Sequence, residues 1–254
     1  MSGLTDDQRR SDADTAGVNA GDAVGAATLE LLDQHDTYSR WIWERLRGLG
    51  DFGGNVLEVG CGIGTFTRWI LAEPSVTLLH SVDIDQGYVA RLLDEVKDSR
   101  FDAFCCSAEA LRLPEIPYDC VISSNVFEHI EDDAGAMRAV ADSLRPEGEF
   151  RILVPAHPTL YCPLDEGLSH YRRYTRSRLL RIAREAGLST ERMVSFNPIG
   201  AFGWWVNGKL LRRRTLPVDQ VSVYDRFGIT LSRWFDFLSP FPFGISLIAQ
   251  LRKP

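Results

Sequence analysis

The segment richest in chemistry is an apolar run leading into three alternate glycines, Val56-Leu57-Glu58-Val59-Gly60-Cys61-Gly62-Ile63-Gly64-Thr65. Glycines at a strand-to-helix junction let the backbone turn tightly and approach a ligand closely, with helix N–H groups aimed at anionic atoms. About 25 residues later a second apolar run ends in Val82-Asp83-Ile84-Asp85, placing a carboxylate where a ribose diol could chelate it. The loop reads G-x-G-x-G after an acidic strand residue, whereas dinucleotide-binding dehydrogenases want G-x-G-x-x-G. Singly, the glycines read as a turn and Asp83 as a cap for a helix starting near Gln86. With Glu58, at their mutual spacing, they read as a binding site.

Candidate bases come from three places. His129 follows the fourth apolar run, His157 sits in Pro155-Ala156-His157-Pro158 after the fifth, and His170 lies in a charged cluster from Asp165 to Tyr174. Open parallel sheets place ligands at the C-terminal ends of their strands, which puts His129 and His157 in reach. An imidazole titrating near ~6.5 suits general-base work near neutrality. The prolines beside His157 fix φ and could aim its ring, or the ring simply faces solvent. The stretch Tyr161 to Tyr174 reads as a substrate wall built from Tyr161, Asp165, Tyr171, Arg172 and Arg173. There Arg172 or Arg173 would bind an acidic group and His170 or Asp165 would assist deprotonation. Its rival is an internal Asp/Arg/Tyr network pinning a long loop, and a mixed outcome is expected.

These residues need a frame, and the hydrophobic pattern supplies one. From Asn55 onward short apolar runs alternate with amphipathic helical stretches, the signature of βαβ units and a parallel sheet. Strands are expected at 56–60, 76–82, 103–106, 119–123, 149–154, 190–196 and 245–251. Helices are expected over 64–71, 86–96, 132–144 and 176–186, the third stopped by Pro146 and Gly148 and the last by Gly187. The fold class is therefore α/β: a Rossmann-like doubly wound seven-stranded sheet, mostly parallel with an antiparallel last strand. Residues 1–27 lack large apolar side chains and read as a flexible tail. Residues 28–50 read as N-terminal cap helices that could form a lid, 51–196 as the core, 197–244 as a helical, aromatic insertion capping the substrate, and 245–254 as the last core strand.

Composition narrows the classes. The 254 residues are 44% hydrophobic and 25% charged, enough for one sizeable core. The net charge of −7 divides into −16 over residues 1–150 and +9 over residues 151–254. The basic half suggests an anionic contact, or spends its cations on internal pairs and helix ends. Overall acidity and the lack of a nucleic-acid motif argue against a nucleic-acid partner. The longest apolar runs, near Ile199–Val206 and Phe241–Ala249, fall far short of the ~20 residues that span a bilayer. No signal peptide is read. Cys61, Cys105, Cys106, Cys120 and Cys162 form no CxxC and are odd in number, which fits a reducing cytoplasm better than disulfides or a zinc thiolate site. In the insertion Trp204, Trp205, Arg212, Arg213, Arg214, Trp234 and Phe243 read as a cap, a dimer contact or a peripheral membrane contact.

The glycine segment with Asp83 resembles motif I and the following acidic position of class I S-adenosylmethionine-dependent methyltransferases. The stretch from Asp119 through Asn125, Glu128, His129 and Ile130 resembles their small-molecule branch, which includes ubiquinone-type O-methyltransferases. Leu144-Arg145-Pro146-Glu147-Gly148 resembles that branch's Leu-Lys-Pro-Gly-Gly turn. The likeness covers about 55–188. It implies S-adenosyl-L-methionine as cofactor, with Gly60, Cys61, Gly62 and Gly64 lining its methionine moiety and Glu58 engaging or orienting the amino end. Asp83 would take the ribose and Ile84 the adenine face. Ala108 would bond the ring through its N–H, next to Glu109, and Asn125 would face the transferred methyl. Related quinone-pathway enzymes carry a divalent metal on E-x-x-E-H here. Asn125 replaces the first Glu in this chain, so no metal is expected. The expected acceptor is a small molecule, a sugar or a lipid-linked glycan, and oxygen is the expected atom because the candidate bases are histidine and carboxylate; a monomer or homodimer is expected, with methylation at nitrogen and a non-catalytic binding subunit as the alternatives.

Overall fold

A computed structural model describes residues 36–111, 113–215, 224, 228–238 and 243–254. The expected tail at 1–27, the start of the expected cap helices and parts of the insertion lie outside the described residues. The chain runs α1 (Asp36–Arg47), β1 (Gly54–Val59), α2 (Thr65–Leu71), β2 (Val76–Asp83), α3 (Gln86–Glu95), β3 (Phe101–Cys105) and β4 (Tyr118–Ser124). It continues through α4 (Asp133–Ser143), β5 (Leu144–Pro155), α5 (Pro163–Gly167), α6 (Arg176–Glu185), β6 (Ser189–Phe196), α7 (Pro198–Trp204), α8 (Ile229–Leu238) and β7 (Ser246–Arg252). A π-helical turn, Trp205–Leu210, extends α7. Among the described residues, no helix is long and apolar enough to cross a membrane.

The seven strands form one sheet in the order β3-β2-β1-β4-β5-β7-β6. β1 through β5 pair in parallel, and β7 enters antiparallel between β5 and β6. The order reverses direction at β1/β4, so the crevice for a ligand opens beyond the C-terminal ends of these two strands. Glu58 on β1 pairs with Ser81 on β2 and Ile122 on β4, which aligns the three strand ends.

Each sheet face is covered by a helical layer with its own apolar cluster. One cluster gathers Leu57, Val121, Phe150 and Ile152 with Met137 and Val140 of α4 and Leu179 and Ile182 of α6. The other gathers Val56, Leu79, Ile122, Leu153 and Ile248 with Trp41, Ile42, Trp43 and Leu46 of α1. The stretch expected as a cap is thus an integral layer over its described residues. Its C-terminal carbonyls are held by the fully buried Arg151 of β5, which donates to Leu46 O at 3.0 Å and Arg47 O at 2.9 Å. Carbonyls that a helix end leaves unpaired find a cation there. Strand β5 begins at Leu144, earlier than Pro146 and Gly148 suggest. Leu144 already pairs with Tyr118, and a register irregularity with Glu147 at φ +62° absorbs the turn residues inside the strand.

Candidate functional site

The glycine loop closes on the sheet by its own hydrogen bonds. Gly60 N and Cys61 N donate to Val82 O, Gly64 N to Cys61 O, and Gly62 N to Asp83 Oδ2 at 2.8 Å. The N–H donors expected to face an anion are therefore spent internally at these four positions. A phosphate cradle would keep them free; this loop offers close approach of backbone instead. Gly60 and Gly64 both sit at φ +82°, and a Cβ on them would lie 2.2 Å from Val126 Cγ2 and Leu92 Cδ2 respectively. Cys61 is buried, and burial pushes its thiol upward, so it is a packing residue at the loop's base.

Glu58 lies beneath the loop, 3% exposed, and its Oε2 accepts from Thr67 Oγ1 at 2.6 Å and Ser81 Oγ at 2.7 Å. Burial raises its pKa to about 7 against the lowering effect of those two hydroxyls. It ties α2 to β2, which the spacing alone did not reveal; hydroxyl residues one helical turn into α2 and inside β2 were the available signal.

Asp83 closes the pair. Its Oδ2 accepts from Gly62 N and its Oδ1 from Asp85 N at 3.0 Å. A carboxylate offers about four acceptor positions, so two remain for a diol. The capping role is taken by Asp85, which accepts from Gly87 N and Tyr88 N. Ile84 is 77% exposed beside Asp83, an apolar side chain left open where a flat ring could lie. Ala108 is buried and Glu109 exposed after β3. Asn125 stands exposed at the end of β4 with φ +54°, its N–H donated to Leu153 O.

The second half of the site is assembled by a long-range fold-back. Tyr171 N donates to Glu128 O at 2.8 Å, and Arg172 reaches Ile130 O and Glu131 O. Tyr174 OH donates to Asp133 Oδ2 at 2.8 Å, and Arg178 pairs with the same carboxylate. This lays the 165–174 loop along the loop that leaves β4. His170 thereby meets His129, with ring centroids 4.8 Å apart and nearly perpendicular. Its Nδ1–H donates to Asp165 Oδ1 at 2.9 Å, which turns Nε2 toward Glu128 Oε1 at 3.9 Å.

Asp165 is a hub. It accepts from Cys162 N at 3.0 Å, Arg173 Nε at 2.7 Å and Trp204 Nε1 at 3.2 Å as well as from His170. Burial alone would raise its pKa, but His170 and Arg173 more than offset this and hold it below the ordinary carboxylate range. Asp165 and Arg173 are fully internal, and Arg173 also donates to Ala156 O. These two expected substrate-wall residues are thus spent on protein partners. Arg172 is largely so, with Asp133 Oδ2 at 3.5 Å as a further partner. Tyr161 donates its OH to His170 O, and Tyr171 stands exposed. Trp204, half-buried, completes the hub from 39 residues away, a distance at which no local pattern signals a contact.

His157 occupies a separate place. Its φ is +60°, and its ring stacks on Phe243 at 4.4 Å. Burial, then Arg173 and Arg176, lowers its pKa. Among the described residues, the buried side-chain atoms without a hydrogen-bond partner are Ser123 Oγ, Ser124 Oγ, both carboxylate oxygens of Glu128, and His157 Nε2. All lie at or just beyond the C-terminal ends of β4 and β5. Such orphans are uncommon in folded proteins and mark where a ligand or proton belongs. Burial raises Glu128 to about 7, although His170 and Arg173 draw it down. His129 opens to solvent at the mouth of the cluster, while the surrounding protein, then His170, lowers its pKa to about 4. Ligand atoms of Glu128, His129 and His170 lie within 4.8 Å of one another, close enough for one cation to bridge, although Asn125 led to none being expected.

A family model described as a methyltransferase domain matches residues 33–192. The ubiquinone biosynthesis O-methyltransferase of Aeromonas salmonicida is 28% identical over 167 residues, covering 58% of this chain and 67% of that one. The malonyl-[acyl-carrier protein] O-methyltransferase of Acetivibrio thermocellus is 28% identical over 105 residues, 41% of this chain and 37% of its own. The chain thus spans between about a third and two thirds of these curated relatives. In fold, it matches an S-adenosylmethionine-dependent methyltransferase from Mesorhizobium loti with a TM-score of 0.59 at 20% identity, covering 83% of this chain and 97% of that one.

Proposed function

Since the chain belongs to the methyltransferase-domain family, with S-adenosyl-L-methionine as its cofactor, we propose that it transfers the cofactor's methyl group to an oxygen of a small-molecule acceptor. The observation that carries this reading is the set of orphaned polar atoms at the ends of β4 and β5, with Glu128 at its centre.

The sulfonium is already electrophilic, so transfer asks mainly that a nucleophile be held in line near ~3–3.5 Å. Gly60–Gly64 would hold the cofactor's methionine portion, Asp83 its ribose, and Ile84 and Ala108 its adenine, with Asn125 at the end of β4 as the residue nearest the transferred group. A hydroxyl acceptor entering past His129 must lose its proton as the new C–O bond forms. The bound cofactor would supply the electrophilic methyl and leave as a neutral thioether, an oxygen lone pair of the acceptor would form the new bond, and the acceptor's proton would pass to the Glu128/His129/His170 cluster. Glu128, poised near 7, is the matched acceptor in this cluster. Asp165 acts as a positioning residue: it fixes the His170 ring so that Nε2 faces Glu128. The O-methyltransferase relatives support an oxygen acceptor.

The test is turnover of a small-molecule extract with 13C-methyl cofactor. A methyl carbon shift of an ether or ester supports the reading. A methylamine product refutes oxygen as the acceptor atom, and cofactor binding without any labelled product favours a non-catalytic binding subunit.

A further inference from the structure

The helix formed by α7 and its π-helical extension has one face that nothing in the described structure covers. Its inner face carries buried Ala201, Asn207 and Gly208, with Trp204 reaching Asp165 and lying under the Arg173 guanidinium at 4.7 Å. On the outer face Phe202 is 65% exposed and Trp205 45%, their rings stacked at 6.2 Å, and Leu210 and Leu211 are 64% and 49% exposed. Phe202, Trp205 and Lys209 follow i, i+3, i+7, the spacing of one helical face. Exposed aromatic and leucine side chains concentrated on one short element are costly to leave in water.

Charge decides what this face fits. Residues 197–214 contain Lys209, Arg212, Arg213 and Arg214 and no Asp or Glu, in a chain whose net charge is −7. Lys209, Arg212 and Arg214 are exposed, while Arg213 donates to Asn207 Oδ1. The neighbouring α8 adds outward Leu231, 50% exposed, and Trp234. Aromatic and leucine side chains bordered by cations match the boundary between anionic headgroups and acyl chains. In a two-fold contact through this face a second copy would bring its own Lys209, Arg212 and Arg214 against these.

We propose that the α7 helix is a peripheral docking element for an anionic lipid bilayer. Each exposed cation near such a surface raises partition roughly fivefold, and Phe202 and Trp205 add the apolar contact. Because Trp204 joins this helix to Asp165, docking sets the acceptor site beside the bilayer.

The experiment is co-sedimentation of the full chain with vesicles of phosphatidylcholine alone or with phosphatidylglycerol at a 7:3 ratio, at low and high salt. Expected is binding to the mixed vesicles at least tenfold tighter than to phosphatidylcholine, weakened by salt. Phe202→Ser with Trp205→Ser should lower it at least tenfold, as should Arg212→Glu with Arg214→Glu, both with unchanged circular dichroism. Equal affinity for the two vesicle types, no binding, or full binding by either double variant overturns the proposal. A concentration-dependent dimer abolished by the same substitutions also overturns it, assigning the face to a second copy.

Discussion

Replacing Asp165 by Asn keeps the side chain's shape and removes its charge, which isolates what the hub contributes. The carboxylate accepts from Arg173, His170, Trp204 and the Cys162 backbone, and neither Asp165 nor Arg173 is exposed. An amide would turn an NH2 group toward donors and leave the guanidinium buried without a counter-charge. Breaking one side of a buried pair costs about 3–5 kcal/mol. Arg173 keeps its bond to Ala156 O and its stacking on Trp204, which places the loss near ~3 kcal/mol. For a domain of this size that lowers Tm by roughly 6–12 °C. Urea unfolding followed by circular dichroism measures it, with Arg173→Met and the double variant closing a cycle. A loss below about 1 kcal/mol, the range of exposed pairs, would refute the reasoning. Because Asp165 is held below its ordinary range, its contribution is present above an unfolded pKa of ~3.9 and is lost as pH falls through the lower folded value.

Asp83→Ala should weaken S-adenosylhomocysteine binding at least tenfold by calorimetry and lower Tm modestly, since the bonds offered to the ribose and those accepted from Gly62 N and Asp85 N go together. Gly60→Ala meets Val126 Cγ2 and a φ of +82° together, so binding should fall with a measurable loss of Tm in the same titration and melting experiments. His80, His129 and His157 all have lowered pKa values in the fold. Those histidines cost stability on acidification below an unfolded pKa of ~6.5, whereas Glu58 and Glu128, raised to about 7, take up protons in the fold first and oppose them. Glu128→Gln should therefore lose more stability between pH 7 and 5 than the native chain, as pH-dependent urea midpoints would show. Proton transfer by Glu128 and the two histidines alone requires that EDTA leave methyl transfer unchanged; loss restored by a divalent cation would mean that a metal bridges them.

Local patterns carried most of the fold because each parallel strand is a short apolar run and each helix a 3.6-residue stripe. The turn at Gly60–Gly64 against Asp83 was legible for the same reason: it is built from residues close in sequence or one strand apart. The start of β5 was not, because pairing with Tyr118 and an irregularity at Glu147 override the turn signal of Pro146 and Gly148. The sharing of Arg and Asp between substrate and scaffold was also hidden. Arg173 lies in the same charged run as Tyr171 and Arg172, and only its burial against Asp165 shows that it is structural. Trp204 and Asp133 take part through contacts 39 and 41 residues away, where side-chain type gives no register.

If β1 and β2 hold the cofactor while the loop after β4 removes the proton, the two functions separate on substitution. Single-turnover methyl transfer to a hydroxyl acceptor, with labelled cofactor at saturating concentration, is to be compared between the native chain and Glu128→Gln. Expected is unchanged cofactor affinity with transfer lowered by about 10²–10⁴. The native rate should rise with pH through about 7, where Glu128 ionises. Transfer within twofold of native in the variant would contradict that separation.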